Sequence, residues 1–93
     1  MTTAVQAKQA TMEKINQIAK AFITNCAEPA IDEATKLGNF STSVDFKDVI
    51  NPAQTGEAVV AMLTAHGYEA KHVYYDGPNG YDNYIFIRWE DAQ

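Results

Sequence analysis

The chain holds one cysteine among its 93 residues, so no internal disulfide can form and stability must come from packing or assembly. Long apolar runs are missing too: none approaches the 18 or so residues needed to span a bilayer. The first residues, MTTAVQAKQATMEK, lack the basic region, apolar core and small-residue cleavage site of a signal peptide, and neither end carries a lipidation motif. A soluble protein that stays where it is made, in a cytoplasm, is therefore expected. Positive charge is scarce, with 7 Lys and Arg against 12 Asp and Glu and a formal charge of −5. That balance argues against nucleic acid as the main partner, because binding it requires Lys and Arg to neutralise phosphates.

Chemical constellations are equally thin. Cys26 is expected to be a buried structural thiol, because it falls on the apolar stripe of a helix with no cation or helix N-terminus near it in sequence to lower its pKa. His66 and His72 stand alone, without the HxxxH or CxxC spacing of a metal site. Asp76, Asn79, Asp82 and Asn83 place oxygens in one segment, but they do not follow the D-x-[DN]-x-[DN]-G loop and lack its bidentate glutamate. Turn geometry accounts for the glycines and proline of that segment. Gly77 and Gly80 fit neither G-x-G-x-x-G nor a P-loop. Asp32 and Glu33 are helix neighbours that diverge, and no Ser-His-Asp order is present. No catalytic, cofactor-binding or metal-binding residue is assigned, and an enzyme is not expected.

Hydrophobic residues at 46 % and charged residues at 20 % are ordinary for a globular chain. Surface scaling for 10.3 kDa gives about 5,400 Å² exposed when folded, against roughly 14,900 Å² unfolded. That supports one core, hence a single domain over 1–93. Ile15, Ile18, Ala19, Phe22, Ile23 and Cys26 recur with a 3.6-residue period, so a helix is expected over Thr3–Ala27. Residues 1–12 are poor in large apolar groups and read as a projecting helical extension or as a segment that awaits a partner. Glu28-Pro29 interrupts the helix. A second helix or kinked continuation follows over Pro29–Leu37, with Ile31, Ala34 and Leu37 inward and Gly38 as its stop. Phe40, Thr42, Val44 and Phe46 alternate with polar residues as a half-buried strand. Asn51-Pro52-Ala53-Gln54 is a helix start, and Leu63…Gly67-Tyr68 a helix stop. Tyr68–Tyr75 and Tyr84–Glu90 read as two strands of a hairpin joined across the turn-rich Asp76–Asn83.

This order predicts an α+β fold. A three-stranded mixed sheet in the order 1-3-2 is preferred, because the third strand is the most continuously apolar; 1-2-3 is the alternative. The helices are expected to pack mainly on one face. Aromatics then remain on the other. Tyr74, Tyr75, Tyr84, Phe86 and Arg88 are taken as an interface, since an uncovered apolar patch on so small a body marks a contact site. The competing reading is that these tyrosines simply face water. A nucleic-acid stacking platform is disfavoured, because Lys71 and Arg88 are the only cations on the hairpin, against Glu69, Asp76, Asp82, Glu90 and Asp91.

The layout from Ile31 to Trp89 resembles a type of small tailed-bacteriophage protein. The resemblance rests on Ile31, Ala34 and Gly38, then Val44, then Leu63-Thr-Ala-His-Gly67-Tyr68, then Ile87-Arg88-Trp89. It implies a phage-encoded accessory protein, often associated with the virion, and carries over no catalytic or binding residue. The expected function is thus a virion structural subunit (decoration, cement or connector). Its partners would be copies of itself or larger virion proteins, with no nucleic acid, membrane or cofactor. Its location would be the virion, after synthesis in the host cytoplasm. An acidic inhibitor of a host or defence protein is the second expectation, and a small ligand- or nucleotide-binding protein the third.

Overall fold

The structure, a computed structural model, describes residues 1–46, 49 and 51–92. Helix α1 (Ala4–Phe22) opens on a capping box: Thr3 accepts from the Gln6 amide at 3.2 Å while the Gln6 side chain accepts from the Thr3 amide at 3.0 Å. Two orphan donors of the first turn are thereby satisfied. The first buried side chain is Ile15, and residues 1–14 are all exposed.

The helix does not break at Glu28-Pro29. A π turn over Ile23–Ala27 leads directly into α2 (Glu28–Lys36), with Pro29 in its first turn and the Glu28 amide bonded to the Ile23 carbonyl five residues back. Proline has no N–H for the carbonyl four residues before it and its ring crowds that group, so one wide turn is a local solution. The extra residue also rotates the apolar stripe by one position. Ala27 becomes buried, and Cys26, expected inside, is an exposed free thiol. Beyond it Ile31 and Ala34 resume the core face, while Leu37, expected inward, is 71 % exposed.

Both α2 and α3 (Pro52–Ala65) end in left-handed glycines, Gly38 at φ 81° and Gly67 at φ 90°. Each is followed by an amide that reaches back to close the last turn: Asn39 to the Ala34 carbonyl, Tyr68 to that of Leu63. This is the Schellman pattern expected at Gly67. The start of α3 differs from expectation. Asn51 lies in the left-handed region at φ 50° and its side chain makes no capping bond; its carbonyl alone engages the helix, accepting from Thr55 at 2.9 Å.

Strands β1 (Ser41–Asp45), β2 (Glu69–Gly77) and β3 (Gly80–Arg88) form one sheet in the order β1-β3-β2. Both ladders are antiparallel, so the sheet is not mixed. The outer strands run parallel to each other, and β3 separates them. The hairpin strands also extend through the segment read as a loop: Asp76 pairs with Tyr81 and Gly77 with Gly80, leaving a two-residue turn at Pro78-Asn79. Phe40, expected on the inward face, lies before β1 and is 56 % exposed.

All three helices serve one face of the sheet. The core joins Ala19, Ala27 and Ile31 to Val59 and Leu63 of α3, and to Val44, Ile85 and Ile87 of the sheet. Phe46, fully buried just past β1, wedges among them, with its ring edge-to-face on Phe22 at 4.8 Å and near His72 at 5.1 Å. Gly56 lets α3 lie directly on the His72 ring, where a Cβ would come within 2.8 Å of two ring carbons.

Candidate functional site

Among the described residues, the opposite face of the sheet is uncovered. Because partners across an antiparallel ladder share a face, the register stacks Ser41–Arg88–Glu69, Ser43–Phe86–Lys71 and Asp45–Tyr84–Val73 in rows, with Asp82–Tyr75 beyond. Phe86, Tyr84 and Val73 are half-buried by their lateral neighbours and Tyr75 is 48 % exposed. None of these residues belongs to the hydrophobic core or packs against it. Tyr75 leans along its strand over Gly77, where an added Cβ would meet its ring and hydroxyl.

Four of the five residues expected at an interface, Tyr75, Tyr84, Phe86 and Arg88, therefore share this face. Tyr74 does not. It pairs with Asn83 on the helix side, at the end of the ribbon, 53 % exposed and 6.2 Å from the His72 ring. The period of two separates it from its neighbour Tyr75.

Arg88 anchors one end of the open face. Its guanidinium donates to Glu69 at 3.2 Å, Glu90 at 3.1 Å and Asp91 at 3.1 Å. The hydrogen bonds to Glu90 and Glu69, with the charge of Asp91, raise its pKa above the ordinary arginine value. The strand is thus tied to the start of β2 and to the C-terminal segment. The aromatic strip lies between this charged end and the Pro78-Asn79 turn.

On the helix side, Asn83 is 3 % exposed and donates to the Phe46 carbonyl at 2.9 Å. That donation turns its side-chain oxygen toward His72, 2.6 Å away, so the His72 Nε2 is the donor. Asp82, by contrast, faces outward, so the acidic oxygens of the turn region are not gathered. Among the described residues no cluster of three His, Cys, Asp or Glu side chains is placed to hold a metal ion. His66 bonds its own helix, with Nδ1 2.9 Å from the Met62 carbonyl. A groove of about 350 Å³ runs between the π turn and the end of α3; Ile23, Ile31, Met62 and Leu63 floor it, and Lys20 and Glu28 bring opposite charges to its rim.

The molecule is more open than its mass requires. Its accessible surface is 6588 Å², about 1,200 Å² above the roughly 5,400 Å² of a compact monomer of this size. Its radius of gyration is 14.9 Å, against about 12 Å for a compact 93-residue domain. The projecting start of α1 and the one-sided sheet both contribute. No helix among the described residues is long and apolar enough to cross a membrane.

The fold and this face define a small α+β protein with a one-sided antiparallel sheet. No family model, curated protein or solved structure matches the chain.

Proposed function

We propose that this chain is a non-catalytic structural subunit that works by protein–protein contact through the open face of its sheet. The observation that carries the reading is the strip of Tyr84, Phe86, Val73 and Tyr75 on a face that no helix covers. Aromatic side chains on an uncovered face gain the most from burial against a partner, and the backbone that presents them is a rigid three-stranded ladder rather than a loop. The resemblance of the pattern from Ile31 to Trp89 to small tailed-phage proteins supports, as the class of assembly, a decoration, cement or connector subunit of a phage particle.

The test is mass spectrometry of purified particles from a producing culture, with Phe86→Asp compared to the natural chain. The natural chain should copurify in fixed proportion. Phe86→Asp should fall by about tenfold or more, as loss of a central aromatic anchor does, while its melting curve stays cooperative. Absence of the chain from particles overturns the virion assignment. Undiminished incorporation of Phe86→Asp overturns the role of this face.

A further inference from the structure

We propose that the groove between the π turn and the end of α3, a surface separate from the open sheet face, binds a short apolar peptide in its zwitterionic form. Its floor is Ile23, Ile31, Met62 and Leu63, and its volume of about 350 Å³ falls in the range of small-molecule sites. Lys20 and Glu28 line the same groove, both from the rod that α1, the π turn and α2 form together. Both are exposed. Among the described residues, neither takes part in an ion pair, since all of those belong to Arg88.

The π turn is the reason the two charges share one rim. Eight residues of regular helix leave a pair of side chains about 80° apart around the axis. The inserted residue returns them to the register of a seven-residue spacing, about 20° apart around the axis and about 11 Å apart along it. The same turn frees an acceptor. The Glu28 amide donates to the Ile23 carbonyl and Pro29 has no N–H, so the carbonyl of Thr24, in the groove wall, has no donor within the helix. The other wall carries His66, whose Nδ1 is 2.9 Å from the Met62 carbonyl. That nitrogen is the donor, which leaves Nε2 of the neutral ring as an acceptor.

Together these groups define the ligand. Lys20 takes an anion, Glu28 a cation, Thr24 and His66 accept from N–H groups, and the floor takes an apolar branch. A fatty acid or an alkyl amine answers one end of the rim and sets its apolar chain against the other charge. A free amino acid carries both charges on one carbon, so it engages one rim position at a time. One peptide unit adds a Cα step of about 3.8 Å and supplies the N–H, so an apolar dipeptide spans the rim and places a side chain on the floor. The exposed rim charges contribute little each and are screened by salt, so affinity rests on the floor and the charges set selectivity. For leucyl-leucine, ordinary ligand efficiency gives a Kd on the order of 0.1–1 mM.

Titration of the isotope-labelled full chain with leucyl-leucine, followed by amide chemical shifts, tests the proposal. Saturable shifts should centre on residues 23–28 and 63–68. Acetylating the ammonium or amidating the carboxylate should each weaken binding about two- to fivefold. Glycyl-glycine and free leucine should bind about tenfold more weakly or worse, for want of apolar area and of the peptide unit. Glu28→Gln should abolish the penalty of acetylation and keep that of amidation, and Lys20→Gln should do the reverse. Both positions are exposed, and an otherwise unchanged spectrum verifies that each variant is folded. No saturable shift by about 10 mM, far above the expected Kd, overturns the site, as do shifts centred elsewhere. An acetylation penalty that persists in Glu28→Gln overturns the assigned charge pairing, and leucine binding as tightly as leucyl-leucine overturns the peptide as ligand. The assay involves no particle, so its outcome is independent of the role of the open face.

Discussion

Gly56→Ala is expected to destabilise the protein by about 2–4 kcal/mol, the sum of overpacking and a disturbed buried hydrogen bond. The new Cβ would stand within 2.8 Å of His72 Cγ and Cε1 and closer still to Nδ1. Ordinarily alanine gains up to about 1 kcal/mol over glycine inside a helix, so the sign depends on whether the ring can yield. It cannot do so freely, because Asn83 holds its Nε2 at 2.6 Å and Phe46 packs its edge at 5.1 Å. Either His72 swings away from Asn83, or α3 lifts off the sheet and loosens Val59 and Leu63. Thermal unfolding should show a fall of roughly 8–32 °C, given about 4–8 °C per kcal/mol for a domain of this size. The decisive control is the same substitution in a His72→Ala background. With the ring gone, Gly56→Ala should become neutral or stabilising by up to about 1 kcal/mol. Equal losses in both backgrounds would rule out the contact as the cause.

The boundary signals in the sequence are local; the two glycine stops hold in three dimensions, whereas Glu28-Pro29 does not interrupt the helix and the Asn51 side chain does not cap α3. Gly38 and Gly67 stop their helices because only a left-handed residue closes that hydrogen-bond pattern. The strand order β1-β3-β2 follows from the near-continuous apolar run of Tyr84–Trp89, which suits a strand with neighbours on both edges. What was not legible depends on coupling between distant residues. The π turn adds one residue to the helix, and a stripe extrapolated at 3.6 residues per turn past Ile23 therefore selects Cys26 where Ala27 is buried. Asn83 read as one more turn former, because its burial is decided by Phe46 and His72, 37 and 11 residues away. Gly56 gave no signal at all. A glycine inside a helix is uninformative until the strand beneath it is known. At the open face the alternation of β3 and β2 fixed which aromatics share a side, and grouping Tyr74 with Tyr75 ran against that same alternation.

Phe46→Ala should be the most damaging simple truncation, at about 3–5 kcal/mol. A domain of this length has roughly 5–14 kcal/mol of stability in all, so the loss runs from about a fifth of the total to nearly all of it. The reason is position as much as size. Phe46 follows the last residue of β1, is fully buried, and fills the junction where α1 meets the sheet, edge-to-face with Phe22 at 4.8 Å. Its backbone closes the same junction, since its amide donates to the Asn83 carbonyl and its carbonyl accepts from the Asn83 side chain, both at 2.9 Å. Truncation leaves those backbone bonds in place but removes the ring that two aromatic neighbours pack against, and the helix cannot follow without leaving Ile15 and Ala19 uncovered. Phe46→Leu separates burial from ring geometry. It keeps much of the apolar volume and loses the two edge contacts, worth about 0.5–1.5 kcal/mol each, so a loss of about 1–3 kcal/mol is expected. Urea unfolding should shift the midpoint of both variants with an unchanged slope, as for a native-state effect on a two-state domain. A Phe46→Ala midpoint within about 1 kcal/mol of the natural chain would mean that the helix and sheet are held together by the remaining core, and that this ring is not what closes the domain.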